Sequence, residues 1–230
     1  MKDALVAFQI VSDAPKEALP GLFYTMLRGH FTEIFRKPPS AFWPIDGSNG
    51  LHFDITERLQ FADEFVKIQL SGNILSFNLV GQYPGWASYF STIEKALTLV
   101  FKEGHIQGVE RIGIRYISEF VGLSIFANLN QPLIFTLPQG AGVNNTFKSE
   151  FYGKEYSIVL NLADNILSHT PRPSTEKVSL VDVDVFRTFS PSLSDLSDIL
   201  SQTKRLHTVE KDVFFGILDS QFIKSFHPEY

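Results

Sequence analysis

Phe65-Val66-Lys67-Ile68-Gln69-Leu70-Ser71-Gly72-Asn73-Ile74-Leu75-Ser76-Phe77-Asn78-Leu79-Val80 holds two runs of β-forming residues around Ser71-Gly72-Asn73. Glycine tolerates the left-handed backbone that a tight reversal needs, so the stretch predicts two antiparallel strands joined by a short turn. Strands joined this closely cannot be parallel, because parallel neighbours need a crossover of a dozen or more residues. The hairpin therefore points away from an alternating βαβ architecture.

Working outward, Ala4 to Val11 reads as a mostly apolar strand, and Leu51 to Thr56 as an alternating one. Between them, the three- and four-residue spacing of Phe23, Met26, Leu27, Phe31, Ile34 and Phe35 predicts a helix over 20–36. Beyond the hairpin, Tyr83-Pro84-Gly85-Trp86 opens a second helix carrying Trp86, Phe90, Ile93, Leu97 and Val100 on one face, with Gly104 as its stop. Strands are expected at 109–121, 132–137, 146–152, 156–162 and 178–189, with a polar loop over 163–177. A last helical region is expected from Pro191 to about Leu218. This order predicts an α+β protein, mainly antiparallel sheet with about three long helices packed on one side. The expected organisation is a single domain over 1–230. Its halves, 1–105 and 106–230, each run from a strand to a long helix, which fits a pseudo-duplication.

Composition narrows the function classes. The net charge is −5 over 230 residues, with no long run of Lys or Arg, so a nucleic-acid surface is not favoured. The absence of cysteine excludes disulfides, thiolate metal sites and thiol nucleophiles. The apolar run at the N-terminus is too short for a signal peptide, and 120–137 is too interrupted to span a bilayer. A cytoplasmic protein with no membrane association is expected. There are 22 Phe against 7 Tyr and 2 Trp. Phe has no polar handle, so such a chain should have a thick core and an apolar surface that meets a partner. Phe42 and Trp43, in a Pro- and Gly-broken loop, either fold back over that core or form a partner-binding surface.

Two strands carry the most distinctive charges. In Val109-Glu110-Arg111-Ile112-Gly113-Ile114-Arg115-Tyr116-Ile117-Ser118-Glu119-Phe120, alternation places Arg111 and Arg115 on one face, roughly 13 Å apart. Gly113 between them would leave open surface there. In Leu180-Val181-Asp182-Val183-Asp184-Val185, Asp182 and Asp184 share a face. Adjacent in a sheet, the two strands would pair arginine with aspartate. The alternatives are an anion-binding surface on Arg111 and Arg115, or a divalent-metal site at Asp182 and Asp184, which would need further oxygen ligands.

The segment Arg111-Ile-Gly-Ile-Arg115-Tyr116-Ile117, together with Tyr83-Pro-Gly-Trp86, resembles a sporadically distributed prokaryotic family whose members have no assigned activity. Its members carry an R-x-G-x-R-Y-I-N-like strand, a Y-x-G-W helix opening and a late helix with a Leu-His pair and a Phe. Leu206-His207 and Val213-Phe214 match that last feature, and Ser118 stands where the family has Asn. The resemblance spans nearly the whole chain. Sporadic distribution implies mobile loci, such as defence or toxin–antitoxin systems.

No Walker loop, Gly-x-Ser-x-Gly elbow or His-Glu-x-x-His motif is present. His207 and Glu210, one turn apart, form either a general acid/base pair or a structural hydrogen bond. The expectation is a non-enzymatic interaction protein without catalytic residues, cofactor or metal. It would act with a neighbouring-gene protein or as a homo-oligomer. The alternative is a sensor or enzyme holding an anionic small molecule or nucleotide over Arg111 and Arg115.

Overall fold

A computed structural model describes residues 1–37, 40–42, 52–54, 58–134, 136–137, 140–141, 145–167 and 177–225. Strand β1 is Asp3–Ser12, and helix α1 is Leu19–Leu27. Strands β2 (Thr32–Lys37), β3 (Ser40–Phe42), β4 (His52–Asp54) and β5 (Arg58–Ala62) come next. The hairpin forms as β6 (Val66–Ser71) and β7 (Ile74–Leu79), with Gly72 at φ 60° in its turn. Helix α2 is Trp86–Lys102 and β8 is Ile106–Val121. Strands β9 (Thr136–Leu137), β10 (Gly140–Ala141), β11 (Asn145–Tyr152), β12 (Ser157–Leu167) and β13 (Lys177–Leu193) precede α3 (Leu196–Ile217) and α4 (Ser220–Ser225). The fold is α+β and dominated by antiparallel strands. Among the described residues, no helix is long and apolar enough to cross a membrane.

Several elements depart from the expected limits: of the strand expected over 132–137, residues 132–134 are not in a strand, and β8 starts at Ile106 instead of Val109. Helix α1 stops at Leu27, Gly29 follows at φ 82°, and the chain enters β2. Phe31, Ile34 and Phe35 fit a helical period, but the left-handed glycine interrupts the helix before them. Strand β12 continues through Ala163 to Leu167, where a loop was expected. Strand β13 continues past Pro191 to Leu193, so α3 begins at Leu196 instead of Pro191. Its cap is Asp195, whose Oδ1 accepts from the Ser197 and Asp198 amides at 2.7 and 3.2 Å.

The chain divides into two units. Their limits fall inside β1, β8, β13 and α3, at residues 4/5, 112/113, 187/188 and 202/203. The unit built from Leu5–Ile112 and Thr188–Gln202 holds the strand order β1-β7-β6-β5-β2. Its alternating residues Val6, Phe8, Ile10, Val66, Ile68, Leu70, Leu75 and Phe77 are buried. So are Phe23 and Leu27 of α1, and Phe90, Ile93, Leu97 and Val100 of α2. Each such side chain contributes roughly 1.5–3 kcal/mol by leaving water. The Phe8 and Phe77 rings meet edge to face at 5.8 Å, and buried Tyr89 donates its hydroxyl to the Phe77 carbonyl at 2.6 Å.

The other unit comprises Met1–Ala4, Gly113–Arg187 and Thr203–Tyr230. Its strand order is β11-β12-β13-β8. Leu160 and Leu162 on β12, Val181, Val183 and Val185 on β13, and Ile114 and Tyr116 on β8 are buried. Leu206 and His207 of α3 are buried as well. A buried carboxylate fastens the strand ends. Asp164 accepts from Ser124 Oγ at 2.9 Å and from the Phe126 amide at 3.3 Å, and Ser179 Oγ lies 2.8 Å away.

Candidate functional site

Because side chains alternate along a strand, β8 presents two different surfaces. On the surface bearing Arg115, the guanidinium grips Asp182 with two parallel bonds, Nε to Oδ1 and Nη2 to Oδ2, both 2.8 Å. Asn161, in register with Asp182 across β12 and β13, adds an amide bond to Oδ2 at 3.1 Å. The bond to Asp182 raises the Arg115 pKa above its ordinary value, with smaller contributions from Asp184 and Asp3, while partial burial opposes them. Further along the same surface, Lys2 pairs with Glu119.

Of the expected ligand-binding residues, Arg115 and Asp182 are committed to one another. Arg115 and Asp182 form a bidentate pair, and Asp184 contributes to the field on Arg115. Neither Arg111 nor Asp184 is free of interactions. Gly113 is buried, which removes the open surface expected beside the arginines. Phe42 ends β3, in register with His52. Trp43 lies outside the described residues.

The opposite surface of β8 carries Tyr116 and Ser118. The Tyr116 hydroxyl sits 3.3 Å from His207 Nδ1, and the two rings meet edge to face at 5.7 Å. One turn along α3 is Glu210, only 2% exposed. Burial pulls His207 down to about 4, and the neighbouring Lys211 charge adds to this. Burial pushes Glu210 up to about 8, opposed by Lys211. At neutral pH the imidazole is therefore neutral and the carboxyl protonated, each held in the form that costs least to keep dry.

A cavity of about 340 Å³ opens one further turn along this face of α3. Phe120, Phe214, Phe215, Leu218 and Ile223 wall it, and the nearly buried Ser118 supplies a hydroxyl two residues from Tyr116. Met1 and Glu119 also border it. The spacing of His207, Glu210 and Phe214 keeps all three on one helix face, with about 6 Å of rise between Glu210 and Phe214.

No family model and no curated protein matches the chain. The geometry is left to speak for the site. A neutral histidine and a protonated carboxyl lie buried on the helix that also helps to wall an aromatic chamber. Sequence spacing marks the His207/Glu210 pair but gives no sign of the cavity, whose walls come from β8, α3 and α4. Among the described residues, no three His, Asp or Glu side chains converge as a metal site.

Proposed function

We propose that this chain is a binding protein rather than a catalyst, and that its ligand is a small, largely apolar molecule with one hydrogen-bonding group. The observation that carries this reading is the aromatic cavity of about 340 Å³ beside Ser118. That volume falls within the range of small-molecule sites, roughly 300–1,000 Å³, which are typically apolar with a few placed polar groups. Phe120, Phe214 and Phe215 supply the apolar contact, and Ser118 can orient a single polar group. A catalytic role for Glu210 would require its carboxyl to touch a substrate, and at 2% exposure it is shielded from one.

The neutral dye Nile red tests the site. Its fluorescence should rise saturably with the native protein, and Ile223→Trp, which places an indole in the cavity, should abolish the rise while leaving the circular dichroism intact. Binding that is indifferent to Ile223→Trp would exclude this cavity as the seat.

The competing anion-binding reading retains one supporting observation, the 44% exposure of the Arg115 side chain. Against it, an anion would have to displace the two bonds from Asp182. Isothermal titration with inorganic phosphate, compared with Arg115→Ala, separates the readings. Work in concert with a protein encoded beside this one belongs to the same proposal and rests on the family resemblance. Co-purification at native expression tests it.

A further inference from the structure

Strand β11, Asn145–Tyr152, stands at the end of its sheet and pairs with β12. An end strand presents a row of unpaired backbone donors and acceptors, and proteins usually blunt such an edge with charge, bulges or cover. This one is regular over eight residues and paired throughout with β12. Phe151 and Tyr152 are 53% and 73% exposed, and the Lys148 side chain is 60% exposed. The edge carries one positive and one negative side chain, two residues apart on the same face.

We infer that β11 pairs antiparallel with β11 of a second copy of this chain, about a two-fold axis through Ser149. A two-fold relation between antiparallel strands of one sheet has its axis perpendicular to the sheet, so each face is preserved. The strands can then be centred only on a residue and never between two. Centring on Lys148 or on Glu150 sets that charge against its own copy. Centring on Ser149 sets Lys148 opposite Glu150 of the second copy, and Glu150 opposite its Lys148. On the other face, Phe147 meets Phe151 and Phe151 meets Phe147, while Thr146 and Tyr152 pair on the charged face. Opposite charges and aromatic pairs directly across a sheet are attractive, and like charges are repulsive. The contacts that Glu150 makes with Lys148 and Tyr152 on its own strand would be exchanged for equivalents across the axis. The pattern admits its own copy and repels a strand of uniform charge.

Sedimentation of the full chain tests this, with circular dichroism confirming that each variant folds. The wild type should show a monomer–dimer equilibrium. Lys148→Glu and Glu150→Lys should each raise the dimer dissociation constant by about tenfold to a hundredfold, since two attractive pairs become repulsive. The double variant Lys148→Glu/Glu150→Lys should regain the wild-type equilibrium, and an equimolar mixture of the two single variants should form a heterodimer. A wild type that stays monomeric up to its solubility limit would overturn the inference. So would a dimer unmoved by the single reversals, or one that the double swap fails to restore.

Discussion

The Arg115 guanidinium and the Asp182 carboxylate meet in a fork of two parallel 2.8 Å bonds across β8 and β13, but the partners are unequally buried. The Arg115 side chain is 44% exposed and that of Asp182 only 12%. Arg115→Ala strands a largely buried carboxylate to which the Asn161 amide alone still donates among the described residues. It should destabilise the protein by about 2 kcal/mol. Asp182→Ala leaves a cation that water can solvate, with Asp184 still nearby, and should cost about 1 kcal/mol. The double variant should resemble Asp182→Ala alone, because removing the arginine does little harm once the aspartate is gone. Urea denaturation of the four proteins checks the cycle, and additive costs would refute it.

Elements written into short stretches were legible in the sequence. The hairpin needed only its β-forming runs and Gly72, and α2 needed Gly85, Gly104 and one apolar face, so both emerge close to their expected limits. The errors arise where local signals are degenerate or partners are remote. The apolar spacing of Phe31, Ile34 and Phe35 suits a helix, yet they belong to the stretch leading into and through β2. Asp164 falls in a stretch that reads as polar loop. Its partners Ser124 and Ser179 are 40 and 15 residues away, and no nearby residue signals that it will be buried. His207 and Glu210 have a visible spacing, but their dryness depends on packing around Tyr116, which lies 91 residues from His207.

The buried pair on α3 predicts a specific dependence of stability on pH. Between His207's folded value of about 4 and its ordinary 6.5, the unfolded chain binds more protons at this residue, so its contribution rises with pH. Glu210 acts in the opposite sense. From its ordinary 4.5 to about 8 the folded chain binds more protons, so its contribution falls with pH. The two oppose one another up to pH 6.5, and above that only Glu210 of the pair acts. Stability should therefore decline from pH 6.5 to 8, by at most about 1.4 kcal/mol per pH unit from this group. Glu210→Gln should flatten that decline. Urea denaturation across the window measures it, and an unchanged slope in the variant would refute the assignment.

Asp164 should behave as a structural anchor. Its carboxylate gathers Ser124, Ser179 and the Phe126 amide at a site 3% exposed. Replacing it with alanine strands the Ser124 hydroxyl and the Phe126 amide, while Ser179 keeps the Leu123 carbonyl at 2.7 Å as an acceptor, and should cost about 2 kcal/mol or more. Asp164→Asn should recover little, because its amide nitrogen faces donors where the carboxylate offered an acceptor. Chemical denaturation compares the two, and a near-neutral Asp164→Asn would contradict the acceptor role of this side chain.

Two glycines should respond in opposite directions to the same substitution. At Gly108 in β8, an added Cβ would lie 2.4 Å from the Leu193 carbonyl oxygen and 3.3 Å from Ser192 Oγ. The obstacle is backbone, which cannot rotate away, so Gly108→Ala must separate chain segments that now touch. A cost of about 2 kcal/mol is expected. At Gly216, in the last turn of α3, an added Cβ meets nothing within 4 Å, and the backbone is not left-handed. There alanine narrows the unfolded ensemble and favours helix, so Gly216→Ala should stabilise by roughly 0.5–1 kcal/mol. Thermal melts of the two variants beside wild type should place Gly108→Ala below it and Gly216→Ala above. Equal effects would mean that conformational freedom, rather than the close approach to Leu193, governs Gly108.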